Sequence, residues 1–149
     1  MHKLDEKDKE IITILKEHSD YTTRQIAKKT LLPFTTIHHR IKRLKEEKII
    51  KKFTIELDPI KTEKSFVAYV LISANLQLLK QKKKTQYDLA NEIRKCYFIE
   101  RTDIVSGGTD LVAIIRVKDV QEFDHVLLGK LQLIEGIEKT QSLIVIHGD

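Results

Sequence analysis

Cysteine, proline and glycine are scarce in this chain of 149 residues, which has one Cys, two Pro and five Gly. The lone Cys96 cannot close an intramolecular disulfide, which fits a reducing compartment. So few Gly and Pro leave little room for long flexible linkers. Long apolar runs are missing as well. The longest stretch without a charge is Ser65 to Leu79, 15 residues broken by Ser, Asn and Gln, too short and too polar for a bilayer helix. Met1-His2-Lys3-Leu4-Asp5 has no apolar signal core behind it. These absences predict a cytoplasmic protein without a membrane partner. Catalytic signatures are lacking too: there is no Ser/His/Asp order, no phosphate-cradling glycine loop and no paired carboxylate. His38 and His39 are adjacent, so on a helix they point about 100° apart and make a poor metal pair. The expectation is no enzyme, no metal and no cofactor.

What the chain does have is charge, unevenly placed. A hydrophobic content of 41% with 33% charged residues describes a globular chain, long enough for one ordinary domain or two small ones. Residues 1–64 hold 16 basic and 11 acidic side chains, net +5, while residues 65–149 hold 11 of each. Between Arg24 and Lys52, 10 Lys and Arg face only Glu46 and Glu47, a local net of +8. That asymmetry points to a polyanionic partner, and double-stranded DNA fits it.

The basic segment is organised as two short amphipathic helices. Thr22, followed three residues later by Gln25, reads as a capping box that opens a helix over 23–30. Leu31-Leu32-Pro33 interrupts it, and a second helix starts at Pro33, which tolerates a first turn. Phe34, Ile37, Ile41 and Leu44 make the apolar stripe of this second helix. The opposite face carries Thr35, His39, Lys42 and Arg43, with Thr36 and His38 at its edges. A preceding helix over 5–17 buries Ile11, Ile12 and Leu15, with Asp5, Glu6 and Asp8 suited to the positive end of its dipole. This is a helix-turn-helix pattern. Its base-reading candidates are Thr35, Thr36, His38 and His39; its phosphate-holding candidates are Arg24, Lys28, Lys29, Arg40, Lys42, Arg43, Lys51 and Lys52. Arg40 lies between stripe and exposed face, and could instead pair with an acid of the first helix.

Beyond Lys48 the period changes to two. Phe53, Ile55 and Leu57 alternate with polar residues as a linking strand closed by Asp58-Pro59. The domains expected are 1–52 for DNA binding, 53–65 for the linking strand and hinge, and 66–149 for the rest. The latter reads as a strand over 66–74, a charged loop over 80–84 and a helix over 85–96. A hairpin follows, with strands over 98–106 and 110–117 about a tight Gly107-Gly108 turn. A helix capped by Asp119 and a strand over 140–146 complete it. The order βαββαβ predicts an α+β, ferredoxin-like domain with helices on one face of a four-stranded sheet. The first strand is apolar on both faces, so a second copy should cover the open one, and Phe66, Val67, Tyr69 and Leu71 are the expected dimer contacts. Asp103 and Asp110 flank the glycine turn, either as solvated hairpin ends or as ligand contacts.

Helix-turn-helix, linking strand and ferredoxin-like domain in this order resemble the Lrp/AsnC (feast/famine) transcriptional regulators of bacteria and archaea. The resemblance covers the whole chain. It rests on LDEKDKEIITILKEHSDYTTRQIAKKT at the start, TTIHHRIKRLKEEKIIKKFTIELD through the second basic helix, IVSGGTDLVAIIRVKD at the hairpin and GIEKTQSLIVI at the last strand. It implies an amino-acid-like effector between dimers at Gly107, Asp110, Thr140 and Ser142, with Asp110 for an ammonium, and a homodimer or octamer. Four departures alter loop chemistry: Leu31 and Lys48 stand where the family often has Gly, Pro33 where it has a Ser cap, and Thr109 where it has an aromatic. Two readings of other classes compete. Ferredoxin-like ligand domains also serve metabolic enzymes and their regulatory subunits, which the +8 segment argues against. An architectural DNA binder would bind without sequence preference or effector.

Overall fold

The structure, a computed structural model, describes residues 3–148; the end positions 1–2 and 149 of the expected domains lie outside the described residues. The chain divides into two compact units, Met1–Glu56 and Leu57–Asp149, a boundary that falls inside the expected linking segment 53–65.

The first unit holds three helices: α1 (Glu6–Glu17), α2 (Thr23–Thr30) and α3 (Phe34–Glu46). Asp5 caps α1 and Thr22 caps α2, each through a reciprocal capping box with the residue three positions on. Ile11, Leu15, Ile26 and Ile37 are buried at the centre, with Ile41 and Ile50 packed against them. Each such side chain contributes roughly 1.5–3 kcal/mol. Helix α2 ends on Leu31 at φ 54°, and Lys48, after α3, has φ 56°. Both turns therefore adopt the left-handed backbone that favours glycine, although neither residue is one.

Residues 51–60 are all exposed, and Phe53–Leu57 forms no strand ladder. The expected linking strand lacks its defining bonds because no described segment of the chain pairs with it. Phe53, Ile55 and Leu57 remain 43%, 76% and 58% exposed.

The second unit is ferredoxin-like, as the element order predicts. Strand β1 (Phe66–Ala74) leads to α4 (Leu76–Gln81) and α5 (Gln86–Arg94). The hairpin β2 (Ile99–Ile104) and β3 (Leu111–Val117) follows, then α6 (Val120–Gly129), a 3-10 turn (Leu131–Leu133) and β4 (Ile137–Ile144). The sheet is antiparallel with order β2-β3-β1-β4. Ala68, Val70 and Ile72 of β1 and Leu111, Ala113 and Ile115 of β3 are buried with Leu89, Ile93, Phe123 and Val126 of the helices. Alternation puts Val67, Tyr69 and Leu71 on the other face. Phe66 belongs to the helix-covered side: its ring lies 5.1 Å from that of Phe123, so it is removed from the expected dimer contacts.

Three expected boundaries move. The charged loop at 80–84 is partly helical, because Asn75 accepts the Leu78 N–H and the buried Leu79 anchors α4. The glycine turn is wider than a two-residue hairpin, since pairing stops at Ile104 opposite Leu111 and Val105 N donates to Asp110 O. Strand β4 begins at Ile137, its edge set by the Asn75 N–H donating to Gly136 O. At Gly136 φ is +108° and an added Cβ would sit 2.6 Å from Leu79 Cδ2. Gly136→Ala should therefore destabilise the protein by about 1–3 kcal/mol. A lowered urea midpoint with unchanged slope checks this; an unchanged midpoint would mean that the 133–137 segment yields freely. Among the described residues no helix is long and apolar enough to cross a membrane.

Candidate nucleic-acid interface and effector site

Helix α3 has no side-chain cap: Pro33 occupies the cap position and the first helical residue is Phe34. Its leading N–H groups are thus left for water or an anion. Ile37 and Leu44 are fully buried and Ile41 is half-buried, which holds one face of α3 against the core. Phe34 departs from the stripe. At 47% exposure it lies outside the core at the first turn and stacks on His38 with ring centroids 6.3 Å apart.

The outer face of α3 presents Thr35, His38, His39 and Lys42, all exposed, with Thr36 half-buried beside them. The His38 and His39 rings meet edge to face at 5.8 Å. Lys42 has only a loose partner, Glu46 at 3.8 Å one turn on, an exposed pair of little energetic weight. Arg24, Lys28 and Lys29 are exposed on α2, with Lys29 Nζ 5.0 Å above the Tyr21 ring. Lys51 and Lys52 are exposed beyond α3.

Arg40 and Arg43 are placed differently from the other cations. Arg40 Nη1 donates to both Asp5 oxygens at 2.8 Å and to Asp8 Oδ1 at 2.7 Å. Arg43 Nη2 donates to Asp8 Oδ2 at 2.6 Å. Both of these candidates for phosphate contact pair with α1, and for Arg40 the alternative pairing with an acid of the first helix is the one the structure shows. The neighbouring guanidinium holds the Asp5 carboxyl down at about 2. For Asp8 the sequence suggested only a place at the helix dipole, although Asp8, Ile11 and Leu15 are the buried residues of α1. A carboxylate on an apolar stripe was the available signal.

The four effector candidates lie near one end of the sheet without converging on one cavity. Gly107 has φ 141° in the hairpin loop. Asp110 Oδ2 accepts the Ala74 N–H at 2.8 Å and Oδ1 accepts Gln86 Nε2 at 2.9 Å. Thr140 pairs with Ile72 and Ser142 with Val70, so both hydroxyls lie on the helix-covered face, where Thr140 Oγ1 accepts from Gln132 Nε2 at 2.8 Å. On the open face, an open cavity of about 390 Å³ is lined by Leu71, Ser73, Gly108, Thr109, Lys139 and Gln141. None of the four candidates lines it.

Comparison with known proteins agrees with both units. Residues 4–51 match the family model described as winged helix-turn-helix DNA-binding, and residues 68–148 match the one described as the Lrp/AsnC ligand binding domain. The chain is 36% identical over 143 residues to the HTH-type transcriptional regulator FL11 of Pyrococcus furiosus, covering 96% of this chain and 89% of that protein. The solved structure of Escherichia coli AsnC superposes with a TM-score of 0.83 at 19% identity, over 99% of this chain and 95% of that one. The Neisseria meningitidis transcriptional regulator NMB0573, solved as its L-Met complex, gives a TM-score of 0.86 at 22% identity, over 97% and 91%.

Proposed function

The chain belongs to the Lrp/AsnC family of transcriptional regulators, and from that premise we propose that α3 reads its operator through Thr35, Thr36, His38 and His39. Residues 1–52 bind DNA, 53–65 serve as the linking segment and hinge, without strand pairing in the single chain, and 66–149 assemble and sense an effector, all in the cytoplasm. Arg24, Lys28, Lys29, Lys42, Lys51 and Lys52 hold phosphates, giving affinity with little sequence information. The observation that carries this reading is the outer face of α3, where Thr35, His38 and His39 stand exposed one turn ahead of Lys42 while the inner face is fixed to the core. Thr can bond to bases or meet a thymine methyl, and His can donate or accept. Selection of bound duplexes from a random pool tests it. A shared, pseudo-palindromic sequence is expected; recovery of unrelated sequences would favour an architectural binder.

The working unit is a homodimer in which a second copy covers Val67, Tyr69 and Leu71. Light scattering distinguishes that dimer from an octamer built of four. The effector is a small amino acid or a close analogue, held near the Gly107–Asp110 loop with Thr140 and Ser142 shaping the adjoining sheet end. The L-Met complex of the Neisseria relative supports the ligand class. Asp110 already accepts two donors, and a carboxylate has about four lone-pair sites, so an ammonium can still add to it. Asp110→Ala should reduce amino-acid binding severalfold while leaving duplex binding in the absence of effector unchanged. A calorimetric screen of the common amino acids that produced no heat with the native protein would leave 66–149 as an assembly domain alone.

A further inference from the structure

Asp8 is the one fully buried charged residue among the described residues, and its partners come from α3. Removing a carboxylate from water is strongly unfavourable unless charged donors meet it. Here Arg40 and Arg43, three residues apart on α3, reach its two oxygens at 2.7 and 2.6 Å, and the Asp5 N–H adds a third bond to Oδ2 at 3.2 Å. Two anchors at different heights on one helix fix both its rotation and its sliding. Arg43 is drawn inward although its Nε is then enclosed without an acceptor. Arg40 directly follows His39, and Arg43 directly follows Lys42. Any turn of α3 that moved His39 or Thr36 would also pull a guanidinium off Asp8.

We infer that Asp8 is a specificity-determining positioning residue, acting through Arg40 and Arg43. It sets the angle at which α3 presents its base-reading side chains, and it withholds two arginines from the DNA backbone. The second effect matters as much as the first. A guanidinium free to meet any phosphate raises affinity for all sequences alike, which lowers discrimination. The inference rests on the assignment of α3 as the reading helix.

Asp8→Asn in the full chain separates this role from plain structural support. Titrations against a selected duplex and a random one, across a salt series, are the readout. Affinity for the selected duplex should fall roughly tenfold to a hundredfold. Affinity for the random duplex should hold or rise, and its salt slope should steepen by up to about 0.9 for each freed arginine. If both duplexes lose affinity equally with the slope unchanged, Asp8 is only a fold support and the inference is wrong. A triple variant, Asp8→Leu, Arg40→Met and Arg43→Met, replaces the ion cluster with apolar side chains, a change that buried clusters can tolerate. It should keep the native salt slope on random DNA. A slope lower by about one for each arginine removed would place Arg40 and Arg43 on phosphates in the native protein and overturn the inference. Failure of the reading beneath it looks different: the native protein would then show no preference between the two duplexes.

Discussion

Tyr69→Asp or Leu71→Asp should break the homodimer. The open face of the sheet carries Val67, Tyr69 and Leu71 from β1, and Val112, Ile114 and Leu143 lie in register beside them on β3 and β4. Tyr69 is 42% and Leu143 48% exposed in the single chain, so water would meet an apolar patch, bordered by Arg116 and Gln141, if nothing covered it. A carboxylate placed there can reach water in a monomer but is buried without a partner in the dimer. Its effective penalty is several kcal/mol, and in a two-fold interface it occurs on both copies. Each 1.4 kcal/mol is about tenfold in Kd, so weakening by roughly 10³-fold or more is expected. Light scattering at micromolar concentration should find the variants monomeric or unfolded and the native chain at least dimeric. A monomeric native chain would rule out the dimer.

How far such surfaces could be read from sequence depends on the range of the interactions involved. Helix α2 was legible to its ends because its cap, Thr22 with Gln25, is local. The βαββαβ order was legible because each element carries its own period. The short α4 was not, because one and a half turns give too few repeats to stand out beside four lysines. The two-faced apolar pattern of β1 signalled a covered second face, but Phe66 belongs with Phe123, and only the neighbouring helix decides that. Leu31 and Lys48 show another limit. Their left-handed backbone is imposed by the turns on either side of α3, against the preference of both residues.

The site was legible in the same uneven way. The outer face of α3 follows from counting positions on one helix. The fate of Arg40 and Arg43 depends on Asp5 and Asp8, more than thirty residues earlier in the chain. The position of Arg40 between stripe and exposed face hinted at inward pairing, but nothing local distinguishes Arg43 from the lysines around it. The effector candidates matched motif positions, but strand alternation sends Thr140 and Ser142 to the helix side of the sheet, away from the open-face cavity.

Salt should govern DNA binding. With about six to ten phosphates neutralised per dimer, affinity should fall by roughly 10³ to 10⁵ between about 50 and 200 mM salt. Lys42 stands on the outer face, and Glu46 is its one ion-pair partner among the described residues, so Lys42→Ala should weaken all sequences alike and flatten the slope by about one for each phosphate no longer neutralised. A nearly salt-independent affinity would mean that the +8 segment is a solvated surface and nothing more.

The most direct measurement compares Thr36→Ala and His39→Ala with the native protein on one selected and one random duplex. A symmetric dimer should select pseudo-palindromic half-sites spaced by about one helical turn or a multiple, and each variant should lose about 1–3 kcal/mol on that site. On random DNA the same variants should bind almost as the native protein does. Equal losses on both duplexes would contradict the assignment of α3 as the reading helix, because it would then hold DNA without reading it.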